Sequence, residues 1–128
     1  MIYGIGIDTI EVVRIEHAIK HYGSQFTDRI FADHEMAYCT SRLKQYEHFA
    51  ARFAAKEAFA KALGTGVRRG FRWKEVTVRN QISGKPMIEL HGTMIERAAK
   101  LIAHEYRIEL SITHTAEIAE AIAVIELS

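Results

Sequence analysis

The sequence predicts an α+β protein, with an antiparallel sheet packed against helices and assembled from one compact domain spanning residues 1–128. Three observations carry that prediction. A glycine-punctuated isoleucine strand opens the chain, helical spacing dominates the first half, and two long alternating runs joined by a short turn close it. The order strand, helices, strand, strand, helix, strand, strand lacks the regular alternation of a parallel βαβ fold.

IYGIGID at 2–8 alternates and is isoleucine-rich, so it reads as a strand, and Gly4 and Gly6 suggest close backbone approach. From Glu11 to about Tyr22, Val12, Ile15 and Ile19 recur at helical spacing, and Gly23 supplies a stop. Ser24 to Ile30 forms a second short helix, and Asp33 is placed to cap a third through HEMAYC. A long helix runs from Gln45 to Leu63, with Gly64 where a left-handed terminating residue is favoured. WKEVTV at 73–78 alternates as a strand, SGKP is a turn whose proline enters the strand MIEL, and Gly92 to His104 is helical by pattern. YRIELSITH and IAEAIAVIEL are the closing strands, joined around Thr115 to Glu117.

The totals narrow the class. A hydrophobic fraction of 48% over 128 residues suffices for a packed core, and no repeat, linker or low-complexity segment interrupts it. One cysteine, Cys39, excludes an internal disulfide framework, suits a cytoplasmic setting and carries no catalytic cysteine signature. MIYGIGIDT has no basic n-region, and no apolar run approaches the ~20 residues of a membrane helix. Net charge is only +1, yet Arg52, Lys56, Lys61, Arg68, Arg69, Arg72 and Lys74 face Glu57 alone in their stretch. That is either a solvated face or a field favouring an anionic partner.

Chemistry concentrates around FAAKEAFAKALGTG at 53–66. Glu57 and Lys61 stand four apart in the order that favours a helix ion pair, the plain structural explanation. Against it, Ala50, Ala54 and Ala60 leave room for a ligand or another chain beside Glu57. Asp8 follows a strand where the chain turns into a helix, and with Thr9 it is either a helix cap or a site carboxylate. Gly64, Thr65 and Gly66 offer flexible backbone near Lys61, but GTG lacks the spacing of a phosphate loop. The helix also ends there, so its dipole disfavours an anion, which must be held by side-chain cations and a divalent metal. Two acids plus a phosphate make a natural Mg²⁺ site. The seven histidines form no zinc pattern, and His114 in SITHT is by default a satisfied polar residue.

Taken together, GIGIDTIEVVRI at 4–15, RFAAKEAFAKALGTG at 52–66, GKP at 84–86 and SITHT at 111–115 resemble the holo-acyl-carrier-protein synthases, the compact 4'-phosphopantetheinyl transferases. The resemblance spans essentially the whole chain. It implies Mg²⁺-dependent transfer of phosphopantetheine from coenzyme A to a serine of apo-acyl carrier protein, with release of 3',5'-ADP, in fatty acid biosynthesis. On this likeness Asp8 and Glu57 bind the metal with the coenzyme's pyrophosphate, Lys61 contacts that pyrophosphate, and Glu57 is a candidate for steering the serine proton. Arg52, Gly64, Thr65 and Gly66 border the coenzyme, while Gly84, Lys85, Pro86 and His114 reach it from the next chain of a homotrimer. Arg14, Arg29 and Lys20 form the surface that receives the acidic carrier, with His17 and His21 where a more basic face is expected. Nucleic acid and membrane are not expected partners. The rival reading is a non-catalytic coenzyme A or nucleotide-binding module, with a ligand-free trimeric scaffold as a third.

Overall fold

The computed structural model describes all residues from Met1 to Ser128. Strand β1 covers Ile2–Glu11, followed by helices α1 (Val12–Tyr22), α2 (Ser24–Ile30), α3 (Asp33–Thr40) and α4 (Gln45–Leu63). A 3₁₀ turn at Trp73–Glu75 leads to β2 (Val76–Asn80) and β3 (Pro86–Leu90). Helix α5 (Thr93–Ile102) and strands β4 (Tyr106–His114) and β5 (Ile118–Leu127) complete the chain. The fold is α+β, but its strands form two antiparallel sheets, β1-β5-β4 and β2-β3, in place of the one expected.

Helix α4 is the axis of the molecule. Phe49, Ala54, Ala55, Ala58, Phe59, Ala62 and Leu63 are all buried, and residues from β1, β5, β2 and α5 close around them. Such a helix is buried nearly all round, as a central helix must be, and Lys61 is its one exposed residue. Small side chains let β1 lie almost on the helix backbone. A Cβ added at Gly6 would stand 1.9 Å from the Ala58 carbonyl oxygen, and one at Gly4 1.9 Å from that of Ala62. Close approach, as expected, explains both glycines. At the far end Gly64 adopts φ 94°, left-handed as expected, and its N–H donates to the Lys61 carbonyl.

Three local expectations are corrected. β1 continues through Thr9 to Glu11, pairing Asp8 with Ala121 and Thr9 with Glu120, so Asp8 lies inside a strand and caps nothing. Ladder bonding to β5 extends the strand beyond what its isoleucines alone suggest, and the cap position of α1 falls to Glu11. Asp33 is the first helical residue of α3 and not its cap; Ala32 holds that position, and its N–H donates to the Glu35 carboxylate at 2.9 Å. Trp73–Glu75 coils into a 3₁₀ turn, so the strand expected from residue 73 begins only at Val76.

Lys56, counted above as part of a basic field, is wholly buried. Its ammonium donates to Glu35 Oε1 at 2.6 Å, the Ile30 carbonyl at 2.6 Å and the Trp73 carbonyl at 3.0 Å. Burial pushes its pKa down, against the pull of the Glu35 carboxylate. Glu35 also accepts the Val78 N–H at 2.9 Å. One ion pair thus joins α2, α3, α4 and the start of β2.

Candidate active site

Strand β1 and helix α4 bring Asp8 and Glu57 to one place. The ladder to β5 fixes the direction of Asp8, and the packing of Gly4 and Gly6 on α4 fixes its depth. Both carboxylates line a cavity of about 270 Å³, together with Arg14 and Ile15 of α1, Phe26 of α2 and Phe53 of α4. Burial raises the pKa of Asp8, with Lys61 pulling it back. Burial also raises that of Glu57, and the neighbouring Asp8 charge pushes it further up. Two carboxylates that feel each other in a partly dry cleft attract a cation.

Lys61 does not form the helix pair with Glu57. Its ammonium crosses to β1, donating to the Ile7 carbonyl at 2.9 Å and to Asp8 Oδ1 at 3.2 Å. The strand packs against α4 and presents two acceptors, which outcompete a solvated pair along the helix. About half of the Lys61 side chain stays exposed, so the charge remains available to a ligand. Thr9 Oγ1 donates to Glu120 at 2.7 Å across the outer face of the sheet.

The remaining candidates lie elsewhere on the chain. Arg52 is 95% buried by its 5% exposure, with its guanidinium 4.1 Å from the Tyr38 ring centroid and an Nε that has no hydrogen-bond partner. His114 Nδ1 is 2.9 Å from Glu47 Oε1. Lys85 pairs with Glu109 at 2.8 Å, and with Pro86 it lines a groove of about 410 Å³ between β3 and β4, next to Gly84. Thr65 and the flanking glycines form an open loop, with nothing within 4 Å of a Cβ placed at Gly64 or Gly66. Arg29 borders a separate depression with Trp73, and Lys20 pairs with Glu16 at 2.6 Å on the exposed face of α1. His17 and His21 stack in near-parallel planes beside that pair.

The sequence model of the 4'-phosphopantetheinyl transferase superfamily matches residues 4–119. The chain belongs to that superfamily. A holo-[acyl-carrier-protein] synthase of Solibacter usitatus is 46% identical over 126 residues, covering 98% of this chain and 99% of the relative. That of Geobacter sulfurreducens is 39% identical, covering 98% of each. Among solved structures, a holo-(acyl-carrier-protein) synthase from Bacillus anthracis in complex with CoA (3',5'-ADP) superimposes with a TM-score of 0.82 at 36% identity, covering 100% of this chain and 99% of that one. The synthase from Neisseria meningitidis gives 0.86 at 33% identity, covering 98% and 99%.

The carboxylate cavity also has lining residues that the sequence did not place there. Arg14 was assigned to carrier docking, yet it stands at the rim of the carboxylate cavity itself. Phe26 and Phe53 line it too, with centroids 6.3 Å apart, and Phe53 stacks in turn on Trp73 at 5.0 Å. Only Phe53 adjoined a recognisable motif. Cys39 is buried and its thiol is pushed up to about 12, which leaves no reactive thiolate. No helix is long and apolar enough to cross a membrane.

Proposed function

We propose that the chain transfers the 4'-phosphopantetheine arm of coenzyme A to a serine of apo-acyl carrier protein, releasing 3',5'-ADP, in keeping with its superfamily and with relatives named as holo-[acyl-carrier-protein] synthases. The observation that carries this is the meeting of Asp8 and Glu57, from different elements, in one cavity with Lys61 fastened to Asp8. A binding module has no need of two desolvated carboxylates beside the anion it must hold.

The donor set fits Mg²⁺. Two carboxylates offer hard oxygen ligands and no sulfur or imidazole joins them, and magnesium usually takes one or two carboxylates with waters and substrate phosphates. Asp8 and Glu57 would hold the ion, which when bound neutralises the coenzyme's diphosphate. Lys61, positioned by the Ile7 carbonyl, faces the leaving phosphate and offsets its charge as the P–O bond to 3',5'-ADP breaks. The serine oxygen forms the new bond to phosphorus and gives up its proton. Glu57, directly or through a water, is the candidate that steers this proton.

Arg52 supports a coenzyme subsite beyond the carboxylates. A buried guanidinium stacked on Tyr38, with no carboxylate partner and an orphaned Nε, is suited to an anion such as a coenzyme phosphate. Gly64, Thr65 and Gly66 give the coenzyme an open loop to lie against.

Homotrimer assembly completes the reading. Ile5, Ile7 and Ile122 are 59%, 54% and 38% exposed on the outer face of the β1-β5-β4 sheet, with Ile7 directly opposite Ile122. A contiguous aliphatic face of this kind suits burial against other copies. Gly84, Lys85, Pro86 and His114 stand outside the carboxylate cavity and so serve a neighbour's coenzyme. Arg14, Arg29 and Lys20 receive the acidic carrier. Residues 1–128 then act as one transferase domain in the cytoplasm.

The deciding experiment incubates the protein with coenzyme A, Mg²⁺ and apo-acyl carrier protein and weighs the carrier. A phosphopantetheine mass gain supports transfer, and no gain beside an active control rejects it. Site sharing is tested by mixing His114→Ala with Asp8→Ala. Recovered activity after proven subunit exchange supports it, and none refutes it.

A further inference from the structure

Part of the basic stretch from Lys56 to Lys74 has no task in the scheme above. Of its cations, Lys56 is consumed by Glu35 and Lys61 by Asp8. Arg68, Arg69, Arg72 and Lys74 remain, all exposed and none in an ion pair. Arg72 and Lys74 share a surface depression of about 360 Å³ with Arg29, Phe71 and Trp73. Two acids also line it. Glu75 is committed to the start of α5, accepting from Thr93 Oγ1 at 2.8 Å and the Met94 N–H at 2.9 Å. It stays ionised and is felt by Arg72, so Asp28 and Glu75 together face three cations and the depression keeps a net positive charge.

This patch is rigid and continuous with the active site. The buried Lys56 ammonium binds both the Ile30 carbonyl, next to Arg29, and the Trp73 carbonyl, between Arg72 and Lys74. One donor therefore clamps the two halves of the patch together. Phe26 and Phe53 line the carboxylate cavity, Phe53 stacks on Trp73, and Trp73 meets Phe71 edge-on at 5.3 Å. A partly exposed aromatic ridge thus separates Arg14, at the cavity, from Arg29, Arg72 and Lys74 on the other side.

We propose that Arg72 and Lys74, with Arg29, form a second docking arm for the acidic carrier protein, which lies across the aromatic ridge and is gripped from both flanks. This rests on the transfer reading. Fixed, unpaired cations around an apolar strip match an acidic protein face with a few apolar contacts. The carrier's serine then enters the cavity while its acidic flanks meet Arg14 on one side and the Arg72–Lys74 arm on the other. The coenzyme is the less suitable occupant, because Asp8 and Glu57, which hold its diphosphate through the metal in this reading, do not line the patch.

The test measures steady-state transfer at low salt for the double variant Arg72→Glu/Lys74→Glu. The expected result is a rise of about tenfold or more in KM for the carrier, a retained KM for coenzyme A, and a flatter dependence on ionic strength. Lys100→Glu, an exposed charge reversal on α5 that makes half the change in net charge, leaves the carrier KM in place. An unchanged carrier KM in the double variant overturns the proposal, as does an equal rise in both KM values. If the reversal variant does not fold, Arg72→Gln/Lys74→Gln decides: a smaller rise confined to the carrier supports the arm, and no rise overturns it. A wild-type protein that transfers nothing sinks the transfer reading and this proposal with it. A competent wild type with indifferent variants sinks the second arm alone.

Discussion

Gly6→Ala tests whether the contact between β1 and α4 positions the site. The new methyl carbon would fall 1.9 Å from the Ala58 carbonyl oxygen and 2.7 Å from the Ala62 nitrogen. Real Cβ contacts essentially never fall below 3.0 Å, so the strand must retreat by more than an ångström. The obstacle is helix backbone and cannot swing aside as a flexible side chain would. Overpacking of this kind costs about 1–3 kcal/mol, and a backbone obstacle puts the cost at about 3 kcal/mol. Asp8 lies two residues further along the same strand, and a 1 Å misplacement can lower the rate about 100-fold. Urea denaturation followed by circular dichroism reads the first effect, and the rate of carrier modification in the folded variant reads the second. Gly23→Ala is the control: there the space is open but φ is +56° with ψ −130°, so about 1–3 kcal/mol of backbone strain is expected with no displacement of β1, and the rate should hold. A Gly6→Ala protein with wild-type midpoint and wild-type rate would refute the reasoning.

Other consequences can be checked alongside it. Glu57→Gln should keep the fold and abolish Mg²⁺-dependent transfer, since the side chain borders a cavity and supports no core contact; a normal rate would remove Glu57 from the site. Lys56→Met should cost about 3–5 kcal/mol in denaturant titration, because it strands the Glu35 carboxylate in the interior. A loss below about 1 kcal/mol would show that water reaches the pair. Asp8 and Glu57 both have raised pKa values, so the folded protein holds their protons more tightly than the unfolded chain. Without metal, their contribution favours the fold at low pH and fades as pH rises from the ordinary carboxylate range through the raised folded values. Mg²⁺ affinity runs the other way and should weaken as pH falls into that window, because the ion needs both groups ionised. Calorimetric titrations at descending pH that show constant affinity would contradict this.

Most elements were legible because their patterns were local. Val12, Ile15 and Ile19 mark a helix wherever they occur, and the isoleucines of β5 mark a strand. Boundaries failed where a distant partner decided them. Thr9 to Glu11 became strand because residues 118–120 pair with them, and Trp73 to Glu75 coiled where Lys56 takes up the Trp73 carbonyl. Lys56 was misplaced for a related reason. A lysine in an alanine-rich helix looks like a solvated edge until Glu35, far back in the chain, is found beside it. The alanines and phenylalanines on every side of it, at 53–55 and 58–60, were the available hint.

By itself, the sequence determined the α+β class, the chain's likeness to the phosphopantetheinyl transferases, and the candidacy of Asp8, Glu57 and Lys61. These follow from residue types at short spacing, which need no third dimension to be recognised. The tertiary structure decided that Lys61 turns to Asp8 instead of Glu57, that Arg14 shares the carboxylate cavity, and that Lys56 is structural while Arg72 and Lys74 stay free. Charges act through space over a few ångströms and not along the chain. Which cation meets which anion is therefore settled only when β1 is laid against α4.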